Sequence, residues 1–200
     1  NITIKGLERV AKALRQMAKS GKNIMFVGTK KQGREIVAQC AQSVGMPYVA
    51  DRWLGGMMTN FSTIRRSIRK MQGIQNMLND GSMSNITKKE RLTMTRAHAK
   101  LERVFGGMAQ LSRLPNALLI LDIHHEHLAV AEATRLGVKT VGVVDTNSDP
   151  TLVDFAIPAN DDASKSIKII MEYLTAAVKE GLDERNQNKD EKAKEESSAQ

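Results

Sequence analysis

The sequence is poor in several residue types on which particular classes of protein depend. It contains one cysteine, Cys40, so a disulfide framework and a cysteine-only metal site are excluded. Aromatic residues make up only 4% of its 200 residues, so its core must be built from aliphatic side chains and methionine. It has no apolar run long enough to cross a bilayer, and no signal-peptide pattern opens it. These features predict a soluble, intracellular protein with one main domain.

Acidic residues are scarce in the first part of the chain. Residues 1–115 hold 21 lysines and arginines against 6 acidic residues, whereas residues 116–200 hold 9 against 16. The net charge of +8 therefore conceals a strong polarity. Such segregation favours a polyanionic partner, nucleic acid above all, over a generally basic surface.

Apolar runs and helical periodicity alternate over most of the chain. Short apolar runs predict strands at 23–28, 47–50, 117–122, 138–145 and 154–159. Amphipathic spacing predicts helices at 6–21, 34–45, 127–137 and 164–181, several of them closed by a glycine. This alternation, with continuously apolar strands, predicts an α/β fold: an open parallel sheet covered by helices on both faces.

Residues 61–112 interrupt this alternation with two heptad patterns. The first seam is predicted at Phe61, Ile64, Ile68, Met71, Gln75 and Leu78, and the second at Met94, Ala97, Leu101, Val104, Met108 and Leu111. A turn-rich stretch separates them, and Thr87 with Glu90 predicts a capping box at the second helix. We therefore expect an inserted antiparallel coiled-coil hairpin, although two amphipathic helices packed on the sheet would give a similar pattern.

The predicted organisation has three parts. The α/β domain takes residues 1–60 and 113–182, and the inserted hairpin takes residues 61–112. Residues 183–200 contain almost no apolar side chains and are predicted to form a disordered tail.

The loop GTKKQGRE at 28–35 lies between a predicted strand and a predicted helix. Gly28 and Gly33 have the spacing of a nucleotide-binding P-loop, but Arg34 and Glu35 replace the lysine and the hydroxyl residue of that motif. NTP hydrolysis is therefore not expected. A basic loop at a helix N-terminus suits a polynucleotide phosphate, and a solvated turn explains the same three cations equally well: Lys30, Lys31 and Arg34.

The stretch DRWLGGMMTNFSTIRRSIRK at 51–70 connects the sheet to the predicted hairpin. Gly55 and Gly56 are predicted to be the hinge, because the chain changes direction there. Arg52 and Trp53 lie beside the hinge and are candidate RNA contacts. Trp53 could stack on a base or close the core, and packing is the favoured interpretation.

Two polar stretches at strand ends could bind metal. In HHEH at 124–127 the histidines lack the i, i+4 spacing of a helical zinc site, so a polar loop is the favoured interpretation. In DTNSDP at 145–150, Asp145 and Asp149 could hold hydrated magnesium, but Asx turns explain them without a ligand. No metal or cofactor is expected.

The strongest functional signal is the basic face of the predicted hairpin. Arg65 with Arg69, and Arg66 with Lys70, are like-charge i, i+4 pairs, which destabilise an isolated helix by about 0.2–0.5 kcal/mol each. A sequence that keeps such pairs favours an anion opposite them. The second arm adds further cations, of which we select Lys88, Lys89 and Arg96. These residues predict phosphate contacts with a folded RNA recognised by shape.

Four long motifs resemble one known family, in the right order and over nearly the whole chain apart from its tail. They are FVGTKKQGREIV, RWLGGMMTNFSTIRRSI, LPNALLILDIHHEHLAVAEATRLGV and VGVVDTNSDPTLVDFAIPANDDASKSI. All four resemble the bacterial-type small-subunit ribosomal protein number two family. Members of that family usually begin with a further segment bearing HFGH and WNP motifs, which this sequence does not contain.

The resemblance implies a flavodoxin-like sheet with a protruding coiled-coil hairpin and a structural, non-enzymatic role. It implies binding to small-subunit ribosomal RNA, contact with neighbouring ribosomal proteins, and a cytoplasmic location on the ribosome. It also implies that the protein helps to hold the large mRNA-binding ribosomal protein near the mRNA exit. The alternatives are a nucleotide- or metal-dependent α/β enzyme, and an adaptor that docks only proteins.

Overall fold

The part of the chain that the structure describes contains five strands and six α-helices, which alternate except where α3 is followed by α4 and β4 by β5. The structure is a computed structural model that describes residues 2–79 and 87–198, with side chains as far as residue 189. The strands are β1 (Ile24–Val27), β2 (Tyr48–Val49), β3 (Ala117–Ile120), β4 (Lys139–Val144) and β5 (Phe155–Pro158). The helices are α1 (Ile2–Lys19), α2 (Arg34–Ser43), α3 (Phe61–Asn79), α4 (Lys88–Phe105), α5 (His127–Leu136) and α6 (Ser164–Ser198).

The strands form one parallel sheet in the order β2-β1-β3-β4-β5. Every neighbouring pair is parallel, with Met25 opposite Leu118 and Leu119 opposite Val141 in register. This order is that of flavodoxin-like doubly wound folds. The predicted α/β fold with an open parallel sheet is therefore confirmed.

Both faces of the sheet are buried, which explains why the strands read as continuous apolar runs. Alternate residues of β1 point to opposite faces. Ile24 and Phe26 join the cluster formed with α1, α2 and α6. Met25 and Val27 join a second cluster, which includes α5 and the base of α3. The second cluster is the one that connects the sheet to the inserted helices.

Helix α1 lies against α6 over most of its length. Its buried side consists of Val10, Ala11, Leu14 and Ala18. The two helices approach so closely at Gly181 that an added Cβ would meet the backbone oxygen of Arg15. Arg15 and Lys19 both form ion pairs with Glu184, so helix contacts continue past residue 182. The predicted disorder of residues 183–200 stays a prediction.

Helices α3 and α4 follow β2, precede β3 and contact each other. The capping box predicted at the start of α4 is present, with Glu90 Oε2 accepting from the backbone N–H of Thr87 at 3.1 Å. Helix α4 ends at Phe105 rather than near residue 112, because Gly106–Met108 forms a 3-10 helix. No described helix combines the length and apolar character needed to cross a membrane.

The central positions of the first predicted heptad seam are buried as expected, but the buried position near its end is a different residue. Ile64, Ile68 and Met71 are buried as expected, but Ile74 is buried where the pattern selected Gln75. Positions three and four residues after Met71 both return to the same side of a helix, and the apolar Ile74 takes the buried position in preference to the polar Gln75. The predicted turn between the two helices falls on residues 80–86, outside the described residues.

Candidate nucleic-acid interface

The segment that leads into α3 is held by one buried carboxylate. Glu132 of α5 accepts hydrogen bonds from Trp53 Nε1 at 3.1 Å and from the Gly56 N–H at 2.7 Å. Its other oxygen accepts from the N–H groups of Met58 and Thr59, each at 2.9 Å. Burial alone would raise the pKa of Glu132, but these hydrogen bonds outweigh it and lower the pKa.

The predicted hinge glycines differ from each other. Gly56 adopts φ +91°, a conformation that other residues rarely take, whereas Gly55 is not among the residues with positive φ. Trp53 is only 5% exposed, so it packs inside the second cluster instead of presenting its ring for stacking on a base. Arg52 is exposed beside it and has no ion pair among the described residues.

The cations of α3 are exposed on the side of the helix away from its buried residues. Arg65, Arg66, Arg69 and Lys70 all face solvent, while Ile64, Ile68, Met71 and Ile74 face inward. Arg65 donates to the backbone oxygen of Ser112 at 3.1 Å. Within the described part of the chain, the other three cations have neither an ion pair nor a hydrogen bond. The helix contains no acidic residue, so its surface charge is uncompensated.

The cations of α4 are also exposed, but some have partners. Lys88, Lys89 and Arg96 face solvent and form no ion pair with any described residue. Arg103 is held by Asp51, with 2.8 Å between Arg103 Nε and the carboxylate. Arg103 is thus the cation of this helix whose charge is compensated by a carboxylate within the described structure.

Lys30, one of the three cations predicted on the 28–35 loop, has an internal role. Its ammonium lies 2.9 Å from Asp122, 2.7 Å from Asp161 and 2.6 Å from Asp162, and its side chain is 14% exposed. Burial would lower the pKa of Lys30, but hydrogen bonds to the three aspartates outweigh it and hold the pKa well above its ordinary value. Lys31 and Arg34 are exposed and remain available to an outside anion.

The glycines of this loop are explained by close packing. A Cβ on Gly28 would lie 2.7 Å from Val37 Cγ2, and a Cβ on Gly33 would collide with Leu121. Helix α2 can approach the sheet only because both positions lack side chains. The P-loop-like spacing therefore reflects helix–sheet contact and gives no support to a phosphate cradle.

The carboxyl ends of the strands gather acidic groups. Oxygens of Asp145, Asp161 and Asp162 lie within 4.8 Å of one another, which is a spacing that could hold a metal ion. Asp161 Oδ2 is buried and has no hydrogen-bond partner among the described residues. The ammonium of Lys30 already supplies a positive charge to Asp161 and Asp162.

The other polar stretches fit turns better than ligands. Asp149 accepts from the N–H and hydroxyl of Thr151 and so caps the 3-10 helix Pro150–Leu152, as an Asx turn does. In the HHEH stretch the three histidines are exposed, while Glu126 is 2% exposed and accepts from Thr29. Burial raises the pKa of Glu126 despite those hydrogen bonds.

The sequence reasoning missed two residues that organise this region. Glu132 lies in an ordinary amphipathic helix pattern, and its distance of 73 to 79 positions from the groups it binds left no local signal. Of the three acidic partners of Lys30, Asp122 lies 92 positions away and Asp161 lies 131 positions away, with Asp162 next to it. The predicted parallel sheet could have indicated the partners of Lys30, because the carboxyl ends of parallel strands meet at one edge of the sheet.

Comparison with known proteins places this sequence in a family. A model of the family described as ribosomal protein S2 matches residues 1–181. The chain is 53% identical over 187 residues to the small ribosomal subunit protein uS2 of Bacteroides thetaiotaomicron, covering 94% of this chain and 67% of that protein. The protein of the same name from Bacteroides fragilis is 51% identical over 187 residues, with the same two shares. That from Cytophaga hutchinsonii is 47% identical over 191 residues, covering 96% of this chain and 75% of the relative. The chain thus spans about two thirds to three quarters of these relatives.

Proposed function

The chain belongs to the ribosomal protein S2 family, whose members are structural, non-enzymatic proteins of the small ribosomal subunit, and we propose that it binds ribosomal RNA through α3 and α4. The contact surface consists of exposed cations of both helices. On α3 they are Arg66, Arg69 and Lys70, and on α4 they are Lys88, Lys89 and Arg96. Lys31, Arg34 and Arg52 extend the surface over the adjoining edge of the sheet.

The observation that carries this proposal is the uncompensated charge of α3. Several cations elsewhere are paired with carboxylates: Lys30 with three aspartates, Arg103 with Asp51, and Lys139 with Asp154. On α3, exposed cations stand at i, i+4 spacing with no acidic residue in the helix. Repulsion between them opposes folding slightly, and phosphates placed opposite them would remove it.

Two residues of the predicted contact set fall outside this surface. Lys30 is enclosed by carboxylates, and Trp53 is buried with its indole N–H already bonded to Glu132. Arg65 is exposed, but its hydrogen bond to Ser112 gives it a partner within the protein. We therefore assign the phosphate contacts to the remaining exposed cations.

We further propose that α3 and α4 form an antiparallel coiled-coil hairpin that presents these cations as one surface. Mutual contact of the two helices and the buried positions Ile64, Ile68 and Met71 support this arrangement. Anchoring of the mRNA-binding ribosomal protein near the mRNA exit, and a cytoplasmic location, are proposals that follow from the family resemblance.

Filter binding to a small-subunit ribosomal RNA fragment across a salt series tests the RNA contact. The variant carries Arg66→Ala, Arg69→Ala and Lys70→Ala. If all three residues neutralise phosphates, the affinity should fall and the slope of log K against log salt should shrink by about two to three units. Circular dichroism should stay unchanged, because the three side chains are exposed and form neither an ion pair nor a hydrogen bond with any described residue.

A matched control removes the same charge from another surface. Lys12→Ala, Lys165→Ala and Lys179→Ala also lower the net charge by three, and these lysines are exposed on α1 and α6. This variant should keep both the affinity and the salt slope of the wild type. Equal losses in the two variants would mean that only the overall charge matters, and no loss in either would refute the assignment of the contact to α3.

A further inference from the structure

Five hydrogen bonds converge on the carboxylate of Glu132, and all five come from the segment that precedes α3. Besides the four N–H donors already described, the Thr59 hydroxyl donates to it at 3.0 Å. The donors span positions 53–59, and α3 begins at Phe61. One side chain of α5 therefore holds almost the whole connection between the sheet and the basic helix.

This arrangement does more than satisfy a buried charge. Glu132 is 9% exposed, and burying a carboxylate is costly unless several donors surround it. The donors include three backbone N–H groups within four positions, which can converge only if the backbone turns sharply. Gly56 supplies that turn with its φ of +91°. The carboxylate and the turn thus require each other.

Helix α5, which carries Glu132, is packed against the sheet. Helix α5 buries Ala129, Val130 and Ala133 against the sheet. On the other side of the turn, Asn60 accepts from the N–H groups of Thr63 and Ile64 in the first turn of α3. The packing of α5 on the sheet therefore fixes the position of Glu132, and the hydrogen bonds to Glu132 fix the backbone that leads into α3.

We propose that Glu132 is a positioning residue that sets the direction in which α3 leaves the sheet and so aligns its basic face with RNA. This inference rests on the proposed RNA contact. Apolar contacts of Trp53, Met57 and Met58 also hold the segment, but such contacts are non-directional. Five directed hydrogen bonds to one carboxylate fix a single geometry.

The test replaces the carboxylate by a group of the same shape. In Glu132→Gln one oxygen becomes an amide NH2 group, which faces backbone N–H donors and cannot accept from them. Spin labels on Asn76→Cys and Ala176→Cys, exposed positions of α3 and α6, report the distance between the two helices in a Cys40→Ala background. We expect a broader or shifted distance distribution in Glu132→Gln than in the wild type.

RNA affinity is measured on the same proteins without labels. Misalignment should weaken binding by about tenfold, the effect of losing one charge-assisted phosphate contact, and should reduce the salt slope. A purely stabilising role would lower the melting temperature without changing the slope. Glu172→Gln, an exposed change of the same charge on α6, should behave as the wild type in both measurements.

Each outcome decides the question. An unchanged distance distribution in Glu132→Gln overturns the proposal whatever the affinity. A changed distribution with unchanged affinity also overturns it, provided that the triple α3 variant weakens binding. If Glu132→Gln does not fold, Glu132→Asp, which keeps the charge but shortens the reach, takes its place. If the triple variant binds RNA normally, the proposed RNA contact fails, and the distance measurement alone decides whether Glu132 positions α3.

Discussion

Lys30→Met should destabilise the protein strongly and leave its intrinsic RNA affinity unchanged. The ammonium of Lys30 lies within 2.9 Å of three carboxylates, and its side chain is 14% exposed. Methionine fills a similar volume but leaves Asp122 and Asp161, which are 4% and 1% exposed, without their cation. Removing one partner of a buried ion pair costs about 3–5 kcal/mol, and we take the lower value because Lys30 keeps some contact with water.

Thermal unfolding monitored by circular dichroism measures this cost. For a chain of this size, 1 kcal/mol shifts the melting temperature by about 2–4 °C, so a loss of about 3 kcal/mol predicts a fall of about 6–12 °C. Lys31→Met is the matched control, because Lys31 is the next residue, is exposed and forms no ion pair among the described residues. Its melting temperature should stay within about 2 °C of the wild type.

The two variants also separate an internal lysine from an RNA-binding one. If Lys30 is internal, Lys30→Met binds RNA as the wild type does at temperatures where it is folded. A variant that melts as Lys31→Met does, yet binds RNA more weakly, would refute the argument and restore Lys30 to the contact surface. Equal stability and equal affinity would show that the three aspartates tolerate the loss of their cation.

Three further changes test other parts of the structure. Gly33→Ala should lower the free energy of unfolding by about 1–3 kcal/mol, because its Cβ would collide with Leu121, and isothermal calorimetry should detect no ATP binding to the wild type. Gly56→Ala should cost about 1–3 kcal/mol through backbone strain, whereas Gly55→Ala, whose Cβ meets nothing within 4 Å, should change stability by less than about 0.5 kcal/mol. For Asp154, hydrogen bonds to Lys139 and Thr140 outweigh burial and lower the pKa, so its contribution is present above about pH 4 and is lost as the pH falls through the folded-state pKa. Denaturant titrations should therefore show Asp154→Asn less stable than the wild type by about 1 kcal/mol at pH 7, with a smaller difference at pH 3.

Local sequence patterns predicted the strands of the sheet well, but they did not predict the contacts between residues that lie far apart in the sequence. The strands predicted at 117–122 and 138–145 are mostly apolar because both faces of the sheet are buried, so composition alone locates them. The capping box at Thr87 depends on a partner three positions away and is equally visible. The partners of Lys30 and Glu132 are set by how distant elements fold together, and hydrophobic periodicity carries no information on such pairings. Lys30, a cation near the N-terminus of a helix, was therefore predicted to be free, whereas the structure encloses it among carboxylates.

The same geometry argues against nucleotide binding at the place where doubly wound folds usually bind ligands. Such folds bind ligands beyond the carboxyl ends of their strands, where a glycine-rich loop and a helix N-terminus usually receive phosphates. In this chain Gly28 and Gly33 are required for packing, and the edge carries Asp122, Asp145, Asp161 and Glu126 with Lys30 among them. A nucleotide's phosphates would meet net negative charge at that edge. The proposed phosphate contacts are therefore assigned to α3, which has exposed cations and no acidic residue of its own.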